Sequence, residues 1–296
     1  MKRFAFLLPI LAGISWGSVG IFVRKLTDLG MNNITILSTR VLFATILLFI
    51  IYLIFNKNLL KINPHDLWIF LCSGTIGMLA LNCCYNEAIN ALTLSFAAIL
   101  LALAPMFVII FSAIFFHEKI TARKTICLIL AIAGCICTSG IIENHSDITF
   151  SWYGILNGLA AGMFYALYLA LSKFAIKKGY NALTITFYSL LVMTISLFFF
   201  TDWQSAISIV KLSPVKLSLF MALHSFVSSI CPYFLHTHSL SYLETGKAAI
   251  LAESEPVSAM IFGLIIFGEV PTLIGMFGFI LILTSLTLLS LKTEKC

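Results

Sequence analysis

The chain has 296 residues, 60% of them hydrophobic and only 10% charged, with a formal net charge of +6. A water-soluble domain carries roughly 25% charged residues, so this composition, with a mean hydropathy of +1.06, excludes an ordinary soluble globule. The eight cysteines lie mostly inside apolar runs, and Cys83-Cys84 and Cys135-x-Cys137 lack zinc-ligand spacing, so they read as small buried hydrophobes.

Apolar runs of about 20 residues are long enough to cross a hydrocarbon core ~30 Å thick. Ten spans are predicted, at 4–23, 34–55, 66–88, 92–116, 124–142, 152–173, 182–201, 216–240, 246–268 and 272–291. Lys2-Arg3 before the first run imitates a signal peptide, but the run continues past Trp16 to Val23 without an A-x-A-like cleavage site, so a retained span is expected. The connections are short and hold most of the charge. With the N-terminus inside, the only loop lysines and arginines left outside are Arg24, Lys25, Lys211 and Lys216. Cationic loops resist translocation, so both termini are expected to face the cytoplasm of a multi-pass cell (cytoplasmic or inner) membrane protein.

Glu87 to Thr121 and His238 to Thr272 superpose under one gapless shift. Ala97-Ala98-Ile99-Leu100 falls on Ala248-Ala249-Ile250-Leu251, Pro105 on Pro256, Glu118 on Glu269 and Thr121 on Thr272. Such self-similarity marks a duplication. Gly13 and Gly17 likewise pair with Gly158 and Gly162. Five spans per half make the second half inverted relative to the first. The expected fold is therefore an all-α integral membrane protein of ten transmembrane helices in an inverted 5+5 repeat, with halves at 1–145 and 146–296.

Together these features resemble the EamA-type transporters of the drug/metabolite transporter superfamily. The resemblance rests on Gly13-x-x-Trp16-Gly17 in span one, Arg40 in span two, two copies of Ala-Ala-x-Leu…Pro…Glu, and the Glu255-Pro256 pair in span nine. It covers essentially the whole chain. It implies a ten-helix basket around a central cavity, alternating access and, often, export of small metabolites. The first copy departs from the pattern with Ala104 before its proline, which puts any functional asymmetry in the second half.

Within span nine, a helix of about 100° per residue gathers Ile250, Val257, Ile261 and Leu264 on one side and Ala248, Ala252, Glu255 and Ala259 on the other. Glu255 thus faces the bundle, where Pro256 deprives the carbonyl of Ala252 of its helical donor. Glu253 falls about 160° away on the same wheel, nearer the lipid edge and against a neighbouring helix. A carboxylate at mid-membrane costs roughly 2.5–3.5 kcal/mol on insertion scales, which makes both residues functional candidates. Each reads as a proton carrier or amine site, or as a structural carboxyl supporting the proline break.

Arg40 is the only Lys or Arg deep within a span and suits bidentate pairing, either with a substrate carboxylate or with a protein glutamate. Trp16, Tyr165 and Tyr168 offer apolar walls with polar tips, or helix packing. Substrate binding is accordingly expected at Glu255, Arg40, Trp16, Tyr165 and Tyr168. Glu253, Glu87, His236 and His238 are the candidates for proton coupling or gating, and Pro105 and Pro256 for helix breaks. Glu118 and Glu269 read as turn residues ahead of the helix N-caps Thr121 and Thr272.

No phosphate-binding glycine loop, zinc spacing or serine-nucleophile elbow is found in a suitable context, so no cofactor, no metal and no enzyme is expected. The basic loops need no nucleic acid to explain them. The expected partners are a small-molecule substrate, protons and the lipid bilayer, and the expected state is a monomer. The function that follows is a secondary transporter exporting a small amphipathic metabolite, an amino acid or amine. An importer of a nucleotide-linked or sugar-like metabolite is the close alternative, and a membrane enzyme or flippase component the remoter one.

Overall fold

The computed structural model describes residues 4–92, 94–139, 141–142, 151–268 and 270–290, and among them every regular element is helical. Along the first half run α1 (Leu7–Gly17), α2 (Val19–Asp28), α3 (Asn33–Phe55), α4 (Leu67–Cys72), α5 (Ala80–Ala91), α6 (Leu94–Ala102), α7 (Ala104–Phe116) and α8 (Ala122–Thr138). The second half holds α9 (Trp152–Lys177), α10 (Ala182–Phe198), α11 (Trp203–Leu212), α12 (Pro214–Ser225), α13 (Cys231–Ser239), α14 (Thr245–Ala252), α15 (Ser254–Phe267) and α16 (Leu273–Ser290).

Among the described residues, eight helical rods are long and apolar enough to cross a membrane, or nine if the α10–α11 pair, bent by 105°, is one span. The rod left over, α8, has 17 residues, about 25 Å at 1.5 Å per residue. Apolar side chains on the outer faces, such as Leu273, Met276, Phe277 and Ile280 of α16, form the exposed surface expected against lipid tails. The chain is thus an all-helical, multi-pass membrane protein.

Several rods are composite, and the interruptions fall at matching places. A π-helical stretch, Ser73–Leu79, joins α4 to α5, and another, Phe226–Ile230, joins α12 to α13. The fourth rod breaks at Leu103, between α6 and α7, and its counterpart breaks at Glu253, between α14 and α15. In both cases a proline sits in the first turn after the break, where its missing N–H would be unpaired anyway. Pro105 and Pro256 therefore sit just after the junctions at Leu103 and Glu253.

Helix caps follow local chemistry. Thr121 accepts from Lys124 N at 3.3 Å and Thr272 from Gly275 N at 3.0 Å, as the sequence predicts. Asn32 and Ser151 do the same for α3 and α9. Glu118 is a turn residue, but its carboxylate reaches away from the turn, as described below, and Glu269 lies outside the described residues. One expected connection, 201–215, contains the amphipathic α11 instead of loop alone. Asp202 caps it by accepting from Ser205 N at 3.0 Å, and Ala206 and Ile209 bury one face.

The packing is reciprocal between the halves. α1 packs on α15 and α13, while α9 packs on α7 and α5; α3 lies against α10 and α8 against α16. Gly17 permits the first contact, since a Cβ there would lie 2.7 Å from the carbonyl oxygen of Glu255 and 2.8 Å from Ala259 N. The main core cluster, with Val41, Leu48, Tyr52, Met78, Leu169 and Leu190 among its members, joins both halves.

Candidate functional site

The broken rods leave room between the halves, and a cavity of about 730 Å³ occupies it. This is ample for a small metabolite. Its mouth lies at the end of the bundle where α2, α8 and α15 finish, marked by Arg24, Ser139, Val270 and Pro271. Its floor and sides are Trp16, Arg40, Tyr165, Tyr233, Glu253 and Glu255, with Leu101, Ala102 and Ala104 across from them. The floor rests on the core cluster that joins the halves.

Both span-nine glutamates line this one cavity. Glu255, in the first turn of α15, opens to it as the helical wheel predicts. Glu253 lies against a neighbouring helix, as the wheel predicts, but it lines the cavity and not the lipid edge. It is the junction residue, with φ −65° and ψ 9°, so the helix phase is lost there and the wheel no longer applies across it. Its carboxylate accepts from Cys135 Sγ at 3.4 Å, on α8. Both carboxylates stand at the N-terminus of α15, whose partial positive charge favours an anion.

Arg40 enters the cavity from α3. Its guanidinium is within Coulombic range of Glu255, yet no ion pair joins them among the described residues, and its Nε is buried without a hydrogen-bond partner. A buried, unpaired donor is costly.

The aromatic wall is built around Trp16. Its ring meets Tyr233 edge-on at 5.3 Å, His236 at 5.5 Å and Tyr165 at 6.5 Å between centroids. His236 is fully buried behind this wall and pairs through Nδ1 with the Tyr165 hydroxyl at 3.0 Å, so it positions a wall residue without reaching the cavity. His238 points elsewhere, stacked on Phe234 with centroids 5.5 Å apart. Glu87 is exposed outside the cavity and accepts from the Tyr153 hydroxyl at 3.1 Å.

Tyr168 departs from expectation. It is 1% exposed, forms no part of the cavity lining, and shares a 3.0 Å hydrogen bond with Thr237. Tyr165 and Tyr168 lie three apart on α9, but the π-helical stretch Ser73–Leu79 packs against the second. A Cβ on Gly77 would come within 3.0 Å of Tyr168 Cβ. Pro105 is buried and leaves the lining to its neighbours, whereas Pro256 lines the cavity.

The sequence reading missed Tyr233, Asn82, Tyr85 and Cys135, all of which line the cavity. Asn82 and Tyr85 are three apart on α5, a polar pair in an apolar run that could have been noticed. Tyr233 is three residues before His236 and carried a similar signal. Among the described residues no group of His, Cys, Asp and Glu could hold a metal ion.

Comparison with known proteins agrees with this architecture. The EamA-like transporter family matches the chain twice, at residues 3–140 and 152–291. An uncharacterized transporter of Archaeoglobus fulgidus is 29% identical over 67% of this chain and 68% of its own, and a second from the same organism is 24% identical over 88% of each. The pseudopaline exporter CntI of Pseudomonas aeruginosa is 26% identical over 64% of this chain and 63% of its own. A solved crystal structure with 14% identity superposes with a TM-score of 0.75 over 96% of this chain and 95% of the other, a likeness of fold. The chain belongs to the EamA-like transporter family and is a membrane transporter, not an enzyme.

Proposed function

We propose that the protein is a secondary carrier exporting a small amphipathic metabolite, an amino acid or amine, by alternating access. The observation that carries this reading is the single cavity in which two carboxylates, one incompletely paired arginine and an aromatic wall converge. An ammonium group would meet Glu255 and Glu253, and a carboxylate would meet Arg40. Trp16, Tyr165 and Tyr233 would hold the apolar part or face a cation. One relative is named as an exporter, which supports the outward direction.

Ten spans in an inverted 5+5 repeat, divided at 145/146, suit this mechanism. The twofold family match, the paired π-helical stretches, the paired breaks and the reciprocal packing of α1 on α15 and α9 on α7 support that arrangement. On the expected topology, with both termini cytoplasmic, the mouth of the cavity faces outward. Protons are the expected coupling ion, with Glu253 and Glu255 as carriers.

The test is a ligand-stabilisation screen of purified protein with amino acids, amines and nucleotide-linked metabolites. A rise in thermal stability with an amino acid or amine, lost in Arg40→Ala and Glu255→Gln, is expected. A response confined to nucleotide-linked compounds, or one untouched by both substitutions, would refute the reading.

A further inference from the structure

At the end of the bundle opposite the mouth no described residue lines the cavity, and polar contacts join the halves. There α7 and the turn that follows it, from the first half, meet the first turn of α14, from the second. The natural N-cap of α14, Glu244, makes no side-chain capping bond. The Glu118 carboxylate supplies the cap from across the seam. It accepts from Thr245 N at 2.8 Å, Thr245 Oγ1 at 2.9 Å and Gly246 N at 3.4 Å. An anion on a helix N-terminus is doubly favoured, by the unpaired N–H groups and by the helix dipole.

The surroundings make this contact a closure. Gly246 lets α14 press on α7, since a Cβ there would lie 2.9 Å from Ile109 Cγ1. Lys124 of α8 pairs with Glu244, and Asp66 takes both Lys178 and the Tyr180 hydroxyl, again across the halves. The same α14 continues through Glu253 to Glu255 and the cavity. Separating the halves at this end must pull Thr245 and Gly246 from Glu118.

We propose that Glu118 is a positioning residue of the transport cycle, a latch that caps α14 in the mouth-open state and must let go for the cavity to open at the opposite end. The proposal rests on the carrier reading above. Charge-assisted hydrogen bonds made in one state and absent from the other bias the equilibrium between them. Losing this latch therefore lowers the mouth-open population, at a distance from the mutated residue.

The test reads the far end. Val19 lines the cavity on the mouth side, and Val19→Cys, with the native cysteines replaced by serine or alanine, is labelled in proteoliposomes with a membrane-impermeant maleimide. Glu118→Ala is expected to slow labelling roughly threefold or more, with Glu118→Gln and Thr245→Val intermediate. A static cap would leave Val19→Cys labelling unchanged in variants that are folded and monodisperse, and that result overturns the latch. If Glu118→Ala fails to fold, unchanged labelling in Glu118→Gln and Thr245→Val overturns it equally. A parent protein whose flux does not saturate would overturn the carrier reading and the latch together, whereas saturable flux with unchanged labelling overturns the latch alone.

Discussion

Two rods of this molecule are built to one plan and do different things. α6–α7 and α14–α15 share the Ala-Ala-Ile-Leu start, the break in mid-rod and the proline after it. Each is crossed at its break by a glycine of the other half's first rod, Gly162 over Ala104 and Gly17 over Glu255. In the first rod the break exposes Leu101, Ala102 and Ala104 to the cavity; in the second it exposes Glu253 and Glu255. The break is thus architecture, needed for the cavity to exist, and the charge is an addition made in one copy only.

The comparison can be broken most severely at the crossing glycines. A Cβ at Gly17 would lie 2.7 Å from the carbonyl oxygen of Glu255, whereas one at Gly162 would lie 3.4 Å from Ala104 Cα. Gly17→Ala should destabilise the protein by about 2–4 kcal/mol through backbone displacement, and Gly162→Ala by less than about 1 kcal/mol, since ordinary contact and the helix preference of alanine offset one another. Thermal unfolding in detergent reads both. Equal losses would mean that the two crossings are equally tight.

A smaller effect is expected at the carboxylate on the junction. Glu253→Gln should lower transport roughly tenfold through loss of a cavity charge, with little change in thermal stability. Full activity would remove Glu253 from the site and reduce the asymmetry to one residue. The tyrosines of α9 sharpen the point further. Tyr165→Phe should raise the apparent KM severalfold, while Tyr168→Phe should cost about 1 kcal/mol of stability and leave KM alone. If both move KM, the wall extends deeper than the cavity lining.

The mildest test concerns the matched caps of the helices that follow the two rods, α8 and α16. Thr121→Ala and Thr272→Ala should each cost about 1 kcal/mol, as N-caps do, with transport unchanged. A larger loss at one would show that the two copies differ in stability as well as in chemistry.

Most of the architecture was legible in the sequence because hydrophobic run length, proline and cap residues act locally. The rods, both breaks and the Thr121 and Thr272 caps follow from such signals. What was not legible depends on contacts between distant residues. The wheel set Glu253 against a neighbouring helix but at the lipid edge, because it assumed a continuous helix through residue 253. Tyr168 looked like a wall because nothing local says that the π-helical stretch at Gly77 packs on it while Tyr165 stays open. Glu118 was readable as a turn residue, but its partners, Thr245 and Gly246, are 127 and 128 positions away. Tyr233, missed in the sequence, became a wall residue only through Trp16 of the other half.

The central claim is that the cavity carboxylate absent from the first copy binds the substrate. The direct measurement is substrate counterflow in proteoliposomes for the parent protein and Glu255→Gln, with the amino acid or amine identified by stabilisation. The account predicts saturable, pH-dependent counterflow in the parent and a loss of about 100-fold in Glu255→Gln, the size expected for a desolvated charged contact. Equal counterflow with the same pH dependence in both proteins would contradict it.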